Sequence, residues 1–211
     1  GMRPMTVEVQ ALVTQAGGPA FVGRRTVDGI APNRILLILA VLQKRCGISF
    51  SRQDVYVNVV GGISLKSSKQ DSTSSDLAVA VALVSSLVDI AVKNDIAFVG
   101  EIGLLGELRP VASIEKRINE ARRMGFSAVI VPKQNHSQRV KGKGSWQNAN
   151  FKKNIPRGID VIEAKNLMDA IEKGLVARIP KKEPHKKQKS KKYKPKDDFI
   201  IDDDEEDFLW E

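Results

Sequence analysis

The sequence predicts an α+β (mixed α/β) fold, a mixed sheet with helices packed on it. Three patterns predict it. Thr6 to Thr14 and Asp54 to Val60 each alternate apolar and polar residues, the period of a half-buried strand. Leu77 to Val88 is apolar except for Ser85 and Ser86, which fits a buried helix and is too short to cross a bilayer. Strands and helices then alternate along the chain, the order expected of helices laid on a sheet.

Taken in order, Val7, Val9, Ala11 and Val13 give the first strand one apolar side. Gly17-Gly18-Pro19 reads as a turn, and Ala20 to Val27 as a returning strand, so the two form a predicted hairpin. Asn33 can cap a helix from Arg34 to about Arg45, ended by Gly47. Val55, Val57 and Val59 mark the next strand, closed by Gly61-Gly62. The Ser74-Ser75-Asp76 group caps the long apolar helix, which the pattern carries to about Val92. Ile96 to Val99 is a strand and the Gly103/Gly106 segment a hairpin. Ser113 caps a helix to Met124, ended by Gly125. Ala128 to Val131 is a buried strand stopped by Pro132. Residues 134–158 are a polar excursion, Val161-Ile162 a short strand, and Asn166 starts a last helix to about Glu172.

Composition narrows the function classes. The formal net charge is +9 and the pI about 9.7, which points to a polyanionic partner and says nothing about fold. The charge belongs to the body. Residues 181–211 hold a lysine run and then an acidic run that together sum to −1, leaving +10 on residues 1–180. Neither run can bury a core, so 181–211 reads as a disordered tail behind a folded domain of residues 1–180. A single cysteine, Cys46, excludes an internal disulfide and a zinc site built on cysteines. The two histidines, His136 and His185, neighbour no nucleophile, and no His, Cys or carboxylate spacing predicts a metal site. Gly18 and Gly23 have the glycine spacing of a phosphate loop, but the lysine and the hydroxyl that follow in such a loop are absent.

Many short blocks, all in one order, carry a family resemblance. They include Val7-Glu8-Val9-Gln10-Ala11-Leu12-Val13, Arg24-Arg25, Asn33-Arg34 and Asp54-Val55-Tyr56-Val57-Asn58-Val59-Val60-Gly61-Gly62. Ser75-Asp76-Leu77-Ala78 follows, and last comes Gly100-Glu101-Ile102-Gly103 with Gly106-Glu107-Leu108-Arg109-Pro110-Val111. Over roughly residues 3–175 the chain resembles the C-terminal Lon-protease-like domain of the RadA/Sms family of DNA repair and recombination ATPases. The resemblance implies a Lon-protease-like domain of the ribosomal protein S5 domain 2-like type. The Ser67–Ser72 loop, the Asn135–Asn154 excursion and the mixed-charge tail depart from the family's pattern. The zinc module and the RecA-like ATPase that begin such proteins are expected to be absent from this chain. ATP, magnesium and zinc are therefore cofactors of those parts, with none expected here.

The resemblance also assigns roles. Lon-type peptidases pair a serine with a lysine; the matching positions here are Ser74 and Glu115, a degenerate pair in which an acid replaces the base. The glycines and proline that flank the serine of active members are absent here, so capping of the next helix is the default use of Ser74 or Ser75. Glu115 equally well pairs with Arg122 or a neighbouring subunit. The expectation is a domain with no enzymatic role, the alternative being a degenerate or repurposed Lon-type serine peptidase. Binding then carries the function. Arg24, Arg25 and Arg34 are the candidate DNA contacts, since cations displace counterions from phosphates. Lys44, Arg45, Arg122 and Arg123 widen that surface, as do Lys141, Lys143, Lys152 and Lys153. The expected partners are single-stranded or branched DNA, without sequence preference, and further copies in a hexameric ring; no membrane partner is expected. The expected compartment is a bacterial-type cytoplasm or nucleoid, or an organelle matrix.

Overall fold

The computed structural model describes residues 4–17, 23–61, 64–65, 73–133 and 156–179. All of them fall in one unit, Gly1–Ile179; the lysine-rich and acidic tail lies outside the described residues. The elements run β1 (Val9–Gln15), β2 (Arg25–Asp28), α1 (Pro32–Cys46), β3 (Gln53–Val59), α2 (Asp76–Val88), β4 (Ile96–Phe98) and β5 (Glu101–Ile102). Then come β6 (Leu108–Arg109), α3 (Ile114–Arg123), β7 (Ala128–Pro132), β8 (Asp160–Ala164) and α4 (Leu167–Gly174). The fold is the mixed α/β architecture read from the sequence.

The predicted opening hairpin does not form. β1 pairs antiparallel with β3, and β2 pairs parallel with β3, so the sheet order is β1-β3-β2. The alternation of Val9, Ala11 and Val13 fixes which face is buried but not which strand lies alongside. The neighbour is set by α1, whose crossover returns the chain beside β2 in the same direction, as a parallel pair requires. Arg25 reinforces this choice. Its guanidinium donates to the carbonyls of Gln53 and Phe50, holding the start of β2 against the turn into β3. Burial lowers its pKa below the usual arginine value, with Asp54 opposing.

The second sheet, order β4-β7-β8, is wholly parallel. All five residues of β7 are buried, which accounts for its unbroken apolar sequence: a parallel strand covered on both faces has no polar side. Ile130 faces the main core with α1, α2 and α4, while Val129 and Val131 face a smaller core built on Ile114, Ile118 and Ala121 of α3. A short antiparallel hairpin, β5–β6, projects between the layers, as expected from its two glycines. Gly106 sits at φ +79 in this turn, and a Cβ there would stand 3.0 Å from the Arg45 Cβ. Both facts require glycine.

The helix ends differ in detail from the reading. Helix α1 starts two residues early, at Pro32 behind Ala31, because proline suits the first helical position. Gly47 ends it in the left-handed conformation, as expected. Helix α2 stops at Val88 rather than near Val92. Asp89 turns left-handed, and the Ser85 hydroxyl donates to the Ile90 carbonyl at 2.7 Å. Ser75 precedes α2 and Ser113 precedes α3, but neither makes a side-chain cap bond, whereas Asn166 accepts from the Asp169 N–H at 2.9 Å and caps α4 as predicted.

Cys46 ends α1 half-buried against the main core. Burial pushes its thiol up to about 11, from an ordinary 9.0. At pH 8 only about one thiol in a thousand is then ionised, and the thiolate is the reactive form. Alkylation by iodoacetamide at that pH should be far slower in the native chain than in urea. Equal rates in the two states would contradict the burial.

Candidate functional site

Asp76 opens α2 with 1% of its side chain exposed. A buried carboxylate needs partners, and three bonds supply them. Arg34 Nε donates to Asp76 Oδ1 at 2.8 Å, Arg34 Nη2 donates to Oδ2, and the Ile102 N–H donates to Oδ2 at 3.0 Å. Arg34 Nη2 also donates to the Ile102 carbonyl at 3.1 Å. Burial raises the Asp76 pKa, opposed by Arg34 and by the Ile102 N–H; the bond to Asp76 in turn raises that of Arg34. The three elements α1, α2 and β5 are thus joined at one carboxylate.

This lock sets the position of the residues just before α2. Ser74 and Ser75, both nearly buried, line a cleft of about 630 Å³. Its walls are the segment from Pro4 into β1, the start of α2, the strand β4 and one flank of α3. The floor is largely apolar, with Val81, Ala82, Phe98 and Phe126, and Lys93, Arg117 and Glu120 supply charge. Gly100 ties the end of the strand region to the start of α2: its N–H donates to the Ser74 carbonyl at 3.1 Å, and its carbonyl accepts from the Leu77 N–H at 3.2 Å.

The side chain that reaches Ser74 from α3 is Arg117, whose Nη1 donates to Ser74 Oγ at 3.2 Å while its Nε donates to the Ala112 carbonyl. The sequence reading had assigned that position to Glu115. Ile114, Ile118 and Ala121 form the buried stripe of α3, at the i, i+4, i+7 spacing of one helix face, and Glu115 and Arg117 stand on its two opposite flanks. Helical periodicity makes those flanks equivalent; only the packing of α3 beside α2 decides which one faces the serine. The signal available in the sequence was Arg117 with Glu120, three residues apart on one flank. A guanidinium stays protonated and only donates. The Ser74–Arg117 pair therefore suits an anionic or carbonyl group rather than removal of a proton.

The three arginines expected on DNA fall in different settings. Arg34 is committed to Asp76, with 19% of its side chain exposed. Arg25 is committed to main-chain carbonyls. Arg24 is exposed, and its backbone N–H donates to Asp54 Oδ1 at 2.6 Å. The first two belong to the folding framework. Their pairing was invisible in a sequence that shows a cation but not its partner. Lys44 and Arg45 are exposed in the last turn of α1, where cations complement the helix dipole. Arg122 and Arg123 occupy the same place on α3, and Arg123 pairs with Glu120. Lys141, Lys143, Lys152 and Lys153 lie outside the described residues. Among the described residues no group of three His, Cys, Asp or Glu side chains has a metal-binding arrangement, and no helix is long and apolar enough to cross a membrane.

Removing one partner of a buried ion pair leaves the other uncompensated, at a cost of about 3–5 kcal/mol. Asp76→Ala and Arg34→Ala should each destabilise the chain by about that much in urea denaturation. The double variant Arg34→Met with Asp76→Leu should lose less than the sum, since it strands no charge. Additive losses would show that the two side chains do not act as a pair.

Comparison with known proteins adds names to this geometry. Residues 34–135, just under half of the chain, match the family described as subunit ChlI of Mg-chelatase. The chain is 38% identical over 177 residues to DNA repair protein RadA of Listeria monocytogenes, covering 83% of this chain and 34% of that protein. The same-named protein of Streptococcus pyogenes serotype M6 is 44% identical over 164 residues, covering 77% and 31%. That of Escherichia coli K12 is 40% identical over 173 residues, covering 81% and 32%. The chain spans about a third of the length of these curated relatives. One expectation is corrected by these matches. Glu115 in place of a lysine had led to a domain with no enzymatic role, whereas likeness to a chelatase subunit and to RadA points to an ATPase region. Over about four fifths of its length, this chain is a homologue of bacterial proteins named DNA repair protein RadA.

Proposed function

We propose that this chain serves a DNA repair ATPase of the RadA type by holding DNA and by building a ring of like subunits. The homology to DNA repair proteins carries this reading. The +10 charge of residues 1–180 supplies its physical basis, because a cationic surface gains free energy by releasing the counterions condensed on phosphates. Binding of this kind follows the backbone and ignores sequence, so single-stranded and branched DNA are both substrates. Of the arginines first expected at the interface, Arg24 is the one whose charge faces outward, with the exposed ends of α1 and α3 widening the cationic surface.

In this reading the domain is Lon-like in shape and assembles head to tail, with two different faces of each subunit in contact, into a hexamer. The compartment is a bacterial cytoplasm or nucleoid, or the matrix of an organelle.

A titration of labelled single-stranded DNA against the chain tests the proposal. The logarithm of affinity should fall linearly with the logarithm of salt, and Arg24→Ala should flatten that slope by about 0.7, the value of one phosphate contact on a single strand. Absence of binding at low salt overturns the DNA role, and a strict monomer in light scattering at high concentration overturns the ring.

A further inference from the structure

The outer face of the β1-β3-β2 sheet carries a feature that charge alone does not explain. Tyr56 stands on the central strand, 36% exposed, and its cross-strand neighbours are Leu12 on β1 and Thr26 on β2. Leu12 is 56% exposed. The inward positions on either side of Tyr56, Val55 and Val57, are buried, so the aromatic ring belongs to the solvent side of the pleat. An aromatic ring and a leucine side by side on an open sheet leave apolar area in water.

The polar surroundings are graded along the strands. Arg24 precedes β2 and Arg52 precedes β3; both are exposed, and both lie toward one end of the face. Gln10 and Asn58, exposed and opposite each other, are amides two positions along their strands from Leu12 and Tyr56. Glu8 and Asp28 stand at the far end. Asp54 lies at the basic end and accepts the Arg24 N–H. From Tyr56, Arg24 is two positions along the adjoining strand, about 7 Å, and Arg52 four positions along its own, about 13 Å.

We propose that this face is a stacking platform for single-stranded nucleic acid, with a base laid on Tyr56 against Leu12 and the flanking phosphates drawn to Arg24 and Arg52. The proposal rests on the DNA-binding reading above and specifies where a single strand lies. Glu8 and Asp28 repel phosphate, so the strand leaves across the sheet rather than along it. The Asn58 amide offers hydrogen bonds to base edges that are not confined to one base, while Gln10 Nε2 donates to Glu8 Oε1 at 2.9 Å. A duplex keeps its bases stacked on one another and gains nothing from the ring.

Fluorescence anisotropy with a labelled oligothymidylate, and with a duplex of equal length, separates the contributions. Stacking on an aromatic ring is commonly worth about tenfold or more in affinity. Tyr56→Leu should therefore weaken single-strand binding about tenfold, Tyr56→Phe should retain it, and duplex binding should be unchanged in both. Tyr56→Leu keeps an apolar side chain on the sheet, and an unchanged thermal melt establishes that the fold is intact. Arg24→Ala with Arg52→Ala should weaken both ligands. Single-strand affinity unaffected by Tyr56→Leu, or an equal loss for duplex, overturns the platform while leaving the broader DNA reading in place. No binding of either ligand by the unaltered chain overturns both.

Discussion

A single carboxylate organises the layers of this chain. Asp76 lies at the first turn of α2, where a negative charge is favoured by the helix dipole, yet it is almost wholly buried. Burial alone drives a carboxyl toward its neutral form. The guanidinium of Arg34 and the N–H of Ile102 oppose that drive and give both oxygens partners. Each partner arrives from a different element, Arg34 from α1 and Ile102 from the β5–β6 hairpin. The bond network therefore selects one mutual arrangement of α1, α2 and the hairpin among the several that apolar packing alone would permit.

The consequences reach outward from that point. Helix α2 touches both large sheets and both α1 and α4, so fixing its first turn fixes the seam between the two sheets. The hairpin held by Ile102 is in turn tied to α4, whose first residue, Leu167, donates its N–H to the Gly106 carbonyl at 3.2 Å. Gly106 packs against the side of Arg45, where an added Cβ would stand 3.0 Å from the Arg45 Cβ, and its φ of +79 favours glycine. Ser74 and Ser75 come just before the locked turn, and Arg117 approaches from α3 across the cleft. The geometry of the cleft thus depends on an ion pair that is not itself within it.

Most elements were legible from periodicity, because apolar alternation and helical stripes report directly on burial. β7 and the α3 stripe are cases where pattern and structure coincide. What periodicity omits is the identity of neighbours. It could not show that β3 lies between β1 and β2, nor that Arg117 rather than Glu115 turns to Ser74. Both errors have one physical origin: a strand or a helix stripe has two sides related by symmetry of the pattern, and only tertiary packing distinguishes them. The enzymatic role lies beyond periodicity for a different reason: a single exchange at Glu115 reports on one position, whereas the likeness to ATPase families extends over most of the chain.

The arginines show why charge counts need structure before they become binding surfaces. Arg25 and Arg34 contribute to the net positive charge as fully as any surface lysine, but their donors face main-chain carbonyls and a buried carboxylate. Such cations raise the field around the molecule at long range while their donors are engaged within the fold. Short-range contact falls to those whose donors remain in solvent, and among these Arg24 and Arg52 are set apart by standing at the same end of an open sheet that also presents an aromatic ring. Electrostatic attraction brings a polyanion to the surface whatever its strandedness. Discrimination between single and double strands requires a group that acts only on an unpaired base, and a ring on a pleated face meets that requirement.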